Sequence, residues 1–248
     1  MIIPKPQDVF HKIQLYRLLS KILDDPLMSL NVFFKGGTCA SMLGYLDRFS
    51  IDLDFDLSSS VDKKQIEEHL IKIFSKLSLT LKQQSTNELF YVVGYESKVK
   101  ERNNIKLSFL PKITKYNIYN SFYLSEIDRY ATCQTVETMF SHKLVSLTDR
   151  YKKHKMIAGR DLYDIHYFFL NGQTYISQII EERTGKSVQK YFIELKNFIE
   201  NKINDKVISE DLNFLLPAEK FKMIRKTIKQ ETTLFISEEL EKLKIIKR

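Results

Sequence analysis

Two short stretches carry residue types that could do chemistry together: Gly36-Gly37-Thr38, and the alternating carboxylates Asp52, Asp54 and Asp56. The chain has only 7 glycines, and two of them stand side by side after the apolar Val32-Phe33-Phe34. Adjacent glycines let backbone approach a ligand closely. A helix beginning at Thr38 would aim free N–H groups and its positive dipole end at a phosphate. The Thr38 hydroxyl would cap that helix or touch the same phosphate. In a strand, alternate side chains share a face, so Asp52, Asp54 and Asp56 would line one side and Leu53, Phe55 and Leu57 the core side. Three carboxylates on one face repel each other unless something positive lies among them. Magnesium, with its preference for hard oxygen ligands, answers that need and suits phosphoryl chemistry. An acidic, solvent-facing sheet surface is the competing explanation.

A second constellation lies in the chain's later half. A helix predicted over 135–151 has Val136, Met139, Phe140, Leu144 and Leu147 as its apolar stripe, and Lys143 and Arg150 fall at or beside that stripe. A lysine there is costly unless it neutralises something. The next predicted helix opens with Arg160-Asp161-Leu162-Tyr163-Asp164, placing Asp161 and Asp164 on one face at i and i+3. A Lys143–Asp164 or Arg150–Asp161 salt bridge tying the two helices together is one reading of this pattern.

The elements that must position these groups follow from periodicity. An amphipathic helix is expected near the start, with Val9, Phe10, Ile13, Tyr16, Leu19 and Leu23 at helical spacing. A strand over 32–34 leads into the glycines, a helix is expected over 38–46 and an alternating strand over 51–57. A helix over 62–77 with Asp62 near its N-cap and strands over 89–95 and 105–110 follow. After about residue 125 strand signals fade, and helices are expected over 161–170, 187–203, 218–229 and 236–246. The organisation is α+β over residues 1–133 and a helical bundle over 134–248.

The order of these residues resembles a known family. A strand ending in Gly36-Gly37-Thr38, a short helix, then Arg48-x-Ser50-x-Asp52-Leu53-Asp54-Phe55 is similar to the AbiEii/AbiGii toxins, members of the DNA-polymerase-β-like nucleotidyltransferase superfamily. Lys143-Leu-x-x-Leu-x-x-Arg150 followed by Arg160-Asp161-x-x-Asp164 is similar to that family's downstream motifs. The resemblance implies a polymerase-β-like α+β domain with a mixed sheet followed by a helical bundle, the site lying in the cleft between them. It makes Asp52 and Asp54 the metal-binding, catalytic carboxylates for Mg²⁺, with two ions expected. Gly36, Gly37 and Thr38 would meet a nucleoside triphosphate, with Arg48 and Ser50 supporting it. Lys143 would contact phosphate and act in catalysis, and Asp164, or Asp161 in its place, would support the site. The implied acceptor is RNA such as a tRNA 3′ end, the outcome growth arrest or abortive infection, and the partner a cognate antitoxin. One departure stands out: Ser108 occupies the strand position where a third carboxylate is expected, so that the second metal is held by other groups such as Asp56, the base comes from elsewhere, or activity is weak or lost. The alternatives are a nucleotide-binding protein without transfer, and a nucleic-acid- or protein-binding module keeping only the fold.

Composition sets the outer limits. Hydrophobic residues make up 43% and charged residues 28% of 248, an ordinary globular balance. The net charge is +8, with 17 Lys/Arg against 13 Asp/Glu in residues 1–125 and 22 against 18 in the rest. So even an excess is either a diffuse field for polyanions or a solubilising surface. No run has the length of a membrane span, and the start lacks a signal-like apolar core, so a cytoplasmic protein with no membrane partner is expected. Cys39 and Cys133 fit reduced thiols. His11, His69, His142, His154 and His166 show no metal-site spacing, and His142 and His166 are expected as helix-face or supporting residues.

Overall fold

The computed structural model describes residues 4–97, 102–112 and 114–245. The chain divides into two compact units, Met1–Thr135 and Val136–Arg248.

The first unit is built on helix α1 (Val9–Leu23), α2 (Pro26–Asn31), strand β1 (Val32–Lys35), α3 (Gly36–Met42), β2 (Leu53–Leu57), α4 (Lys63–Lys76), β3 (Thr80–Gln84), β4 (Leu89–Gly94), β5 (Asn104–Pro111), β6 (Tyr119–Leu124) and β7 (Arg129–Gln134). The strands form one mixed sheet in the order β3-β4-β5-β2-β1-β7-β6. Strand β2 is central, antiparallel to β1 and parallel to β5. Its alternation works as expected: Leu53, Phe55 and Leu57 are buried, and Phe55 stacks on Phe109 at 4.9 Å and lies 5.2 Å from Phe34. Truncating such a ring to alanine costs about 3–5 kcal/mol, so the carboxylate-bearing strand is anchored by its other face.

Several local expectations need correction. In α1 the buried face is His11, Leu15, Leu18, Leu19 and Ile22, whereas Val9, Phe10 and Ile13 are 39–49% exposed; a buried histidine disguised the stripe. Strand signals do not end at residue 125, because β7 lies beyond it and pairs with β1 and β6. Its inward residues are the small Ala131 and Cys133, which carry little pattern. Edge strand β3 is exposed along its whole length, so it had no hydrophobic alternation to read. Asp62 does cap α4, accepting from the Lys64 N–H at 3.0 Å.

The second unit is all helical among its described residues: α5 (Val136–His154), α6 (Gly159–Leu170), α7 (Ser177–Thr184), α8 (Val188–Lys202), α9 (Asp205–Leu215), α10 (Ala218–Ile224) and α11 (Ile228–Ile245). Helix α6 packs against α5, α9 and α11, with Phe140, Leu162, Tyr163, Phe168 and Phe192 in the core. At Gly159 a Cβ would fall 2.5 Å from the Val207 carbonyl, so α6 and α9 approach at a distance only glycine permits. The short α7 and α9 escaped periodicity, and the helix expected over 218–229 breaks after Ile224.

Candidate active site

The turn from β1 into α3 is where the predicted residues converge. Gly36 has φ +78°, and a Cβ there would lie 2.5 Å from Asp54 Oδ2. A Cβ on Gly37 would lie 2.9 Å from both Arg48 Nη2 and Ser50 Oγ. The glycine pair is therefore required twice over: once for backbone conformation and once because the Asp54 carboxylate, the Arg48 guanidinium and the Ser50 hydroxyl occupy the space side chains would take. Five of the sequence-predicted residues, Gly36, Gly37, Arg48, Ser50 and Asp54, meet here. Helix α3 starts at Gly36 rather than Thr38, with Lys35 at its N-cap and no side-chain cap. The buried Thr38 hydroxyl does not cap the helix; it donates to the Asp52 carbonyl at 2.5 Å. It thus ties the glycine turn to the start of the carboxylate strand.

The three aspartates have different fates. Asp52 precedes β2 and is half-buried. Asp54, also half-buried, lies in register with Ser108 of β5, whose hydroxyl donates to its Oδ1 at 2.6 Å. Ser108 thus stands beside Asp54 on the carboxylate face, where a third acid was expected. Asp56 is fully buried. Its Oδ1 accepts from the Lys35 ammonium at 2.6 Å, and its Oδ2 from Tyr119 and Gln134, each at 2.7 Å. This corrects the suggestion that Asp56 holds a second metal: its lone pairs are committed to protein donors, and Lys35 supplies the positive charge assigned to a metal ion. Lys35, Tyr119 and Gln134 were not legible as site residues, although a lysine ending an apolar strand opposite alternating aspartates was a usable signal.

His11 supports the same segment. Its Nε2 lies 3.0 Å from the Ile51 carbonyl and its Nδ1 2.6 Å from the Tyr95 hydroxyl. Burial, partly offset by the Ile51 bond and aided by the nearby Arg102, lowers its pKa to about 4. It is therefore neutral at pH 7 and donates to the backbone just before Asp52.

In the second unit Lys143 lies 3.2 Å from Asp161 and 2.8 Å from Asp164, and Arg150 lies 3.0 Å from Asp161. Both aspartates are fully buried, while the Lys143 side chain is 19% exposed. Burial pushes the Asp161 carboxyl up, but Lys143, Arg150 and Arg160 outweigh it and hold it below the usual aspartate range. The ion-pair reading of this constellation is realised, with Lys143 bridging both acids. His166 bonds Glu231 at 2.6 Å, a supporting role. Cys39 and Cys133 are buried free thiols.

Among the described residues, no three His, Cys, Asp or Glu side chains gather into a ready metal cage. The donor set nevertheless fits magnesium, which is usually held by one or two carboxylates completed by waters and substrate phosphates. Asp54 presents a carboxylate oxygen directly over the glycine turn, with Arg48 and Ser50 against the next residue, so a carboxylate and a cationic group stand where a shared ion and phosphates would meet. No helix of the described residues is long and apolar enough to cross a membrane.

Solved structures share the fold. A crystal structure of a putative nucleotidyltransferase from H. pylori is similar at TM-score 0.59 and 22% identity, over 96% of this chain and 98% of that one. The crystal structure of JHP933 from Helicobacter pylori gives TM-score 0.54 and 18% identity over 99% and 100%. The nucleotidyltransferase toxin MenT4 from Mycobacterium tuberculosis H37Rv gives 0.50 and 12% over 93% and 84%. No curated protein matches the chain. The family model described as nucleotidyl transferase AbiEii toxin, type IV toxin–antitoxin system, matches residues 17–244, so the chain belongs to the AbiEii nucleotidyltransferase toxin family.

Proposed function

We propose that this nucleotidyltransferase-family toxin transfers a nucleotidyl group from a nucleoside triphosphate to an RNA acceptor such as tRNA, with Asp52 and Asp54 holding Mg²⁺, two ions on the family pattern, and a cognate antitoxin restraining it in the cytoplasm. The observation that carries this reading is the Asp54 carboxylate lying over Gly36, at a turn whose next residue is crowded by Arg48 and Ser50. When bound, the metal supplies Lewis-acid charge neutralisation at the phosphates. The chain supplies the rest. Gly36 and Gly37, with no side chains of their own, let the backbone of the turn lie close to Asp54, Arg48 and Ser50. Arg48 adds a positive charge beside them, and Ser50 a hydroxyl donor. Thr38 enters through its bond to Asp52, which fixes that residue against the turn. On the family pattern Lys143 meets phosphate, with Asp161 and Asp164 holding its ammonium.

A specific observation favours a second reading. The Ser108–Asp54 bond puts a hydroxyl in place of a third acid, which suits a protein that binds a triphosphate without transferring it. Incubating the protein with labelled triphosphates, magnesium and total tRNA separates the two. Transfer that drops by about a hundredfold or more in Asp52→Ala and in Asp54→Ala supports transfer; unchanged transfer in both removes these carboxylates from the reaction. Calorimetric triphosphate binding with no label transfer supports the second reading. Lys143→Ala is expected to weaken triphosphate affinity at a temperature where its fold is intact, and retained affinity would remove Lys143 from the phosphate contact.

A further inference from the structure

Strands β6 and β7 form one edge of the sheet, and their outward face continues the face that carries Asp54 and Asp56. The link is direct. Tyr119 and Gln134 oppose each other in register, and both donate to Asp56. Because side chains alternate, the next outward positions are Ser121 opposite Thr132, then Tyr123 opposite Tyr130. At the outer end Tyr123 is 50% and Tyr130 71% exposed, with ring centroids 5.3 Å apart. At the inner end Phe33, in register with Asp56, lies 4.8 Å from the Tyr119 ring. The Lys112 ammonium sits 4.3 Å from Phe33 and 4.9 Å from Tyr119. The face thus has a ring pair beside the carboxylates, hydroxyls in the middle and a second ring pair at the edge, four residues or roughly 13 Å further on.

We propose that this face is a track for an unpaired RNA strand, with bases stacking on the Phe33/Tyr119 and Tyr123/Tyr130 pairs and Lys112 meeting phosphate. Its purpose rests on the transferase reading, because the track leads to Asp54. Sheet-borne aromatic rings stack single-stranded bases in a sequence-tolerant way, and hydroxyls between them suit sugar and base edges. Asp128, which accepts from the Tyr123 hydroxyl at 2.8 Å, disfavours phosphate at the outer end and leaves the ring face as the contact there. A protein partner fits less well. Exposed tyrosines occur at protein interfaces too, but here the Ser121 and Thr132 hydroxyls between the ring pairs and the Lys112 ammonium on the inner pair leave no apolar core of the kind a protein interface has.

The test is fluorescence anisotropy of the full chain with a labelled, unstructured RNA octamer, without triphosphate or magnesium. Tyr123→Ala and Tyr130→Ala are each expected to lower affinity by about tenfold, and the pair by about a hundredfold. The Tyr123→Phe/Tyr130→Phe pair, which keeps the rings, should remain within about threefold of the parent. Both tyrosines are exposed, so melting temperature should not move. The assay holds no triphosphate or magnesium and reads binding apart from transfer, so this proposal and the transfer chemistry can each fail alone. No octamer binding by the parent, equal affinity in the alanine pair, or equal losses in the alanine and phenylalanine pairs would each overturn it. So would alanine variants that lose a protein partner while keeping RNA.

Discussion

Gly36 and Asp56 show how single residues divide the labour on the carboxylate face. At Gly36 an alanine would combine a positive φ, which costs about 1–2 kcal/mol for a residue with a Cβ, with a 2.5 Å collision against Asp54. Gly36→Ala is therefore expected to cost stability modestly but to abolish triphosphate binding, because the carboxylate must move out of the turn. Chemical denaturation alongside calorimetric triphosphate titration checks this; full binding in a stable variant would show that the close approach is unused. Asp56 is the opposite case. It is buried against Lys35, and removing one partner of a buried pair leaves an uncompensated charge, at a cost of about 3–5 kcal/mol. Asp56→Ala should thus lower the urea midpoint sharply, whereas Asp54→Ala should leave it nearly unchanged. Equal midpoints for the two would contradict the division into a structural and a functional acid.

At the scale of elements, helices α5 and α6 are joined by charges that the fold has buried. The Asp161 carboxyl is held below its ordinary value, so its ionised form is favoured by folding. A depressed folded pKa contributes stability above the unfolded value near pH 3.9, and that contribution is lost as pH falls through the lower folded value. The helical unit should therefore lose stability below about pH 4, and Asp161→Asn should be less stable at pH 7 but show a flatter acid limb. Circular dichroism melts between pH 3 and pH 7 measure it, and parallel acid limbs in parent and variant would show that the pairs with Lys143 and Arg150 contribute nothing. Helix α1 adds to the same trend. His11 must be neutral in the fold, so protonation of the unfolded chain begins to compete as pH falls below about 6.5, and the penalty levels off near the folded value of about 4. The same elements explain what periodicity missed. His11 lies on the buried side of α1 because Tyr95 and Ile51 satisfy it, and no spacing rule announces partners 40 and 84 residues away.

Across the whole molecule, the sequence by itself determined the α+β-then-helical order, the family through Gly36-Gly37-Thr38 and Arg48-x-Ser50-x-Asp52-x-Asp54, and the inward face of β2. These are local: a turn that needs glycine and a strand whose alternate residues must be apolar are written in adjacent letters. The edge strands β3 and β6 and the strand β7 were invisible, since they are held by partners distant in sequence and carry little alternation of their own. Only the tertiary structure told the two β2 aspartates apart. Asp54 and Asp56 are equivalent by spacing, yet Lys35, Tyr119 and Gln134 converge on Asp56, while Asp54 lies over Gly36 and accepts from Ser108. That choice depends on strand register between β1, β2, β5 and β7, and register between distant segments is settled by how the sheet pairs rather than by any one segment's composition.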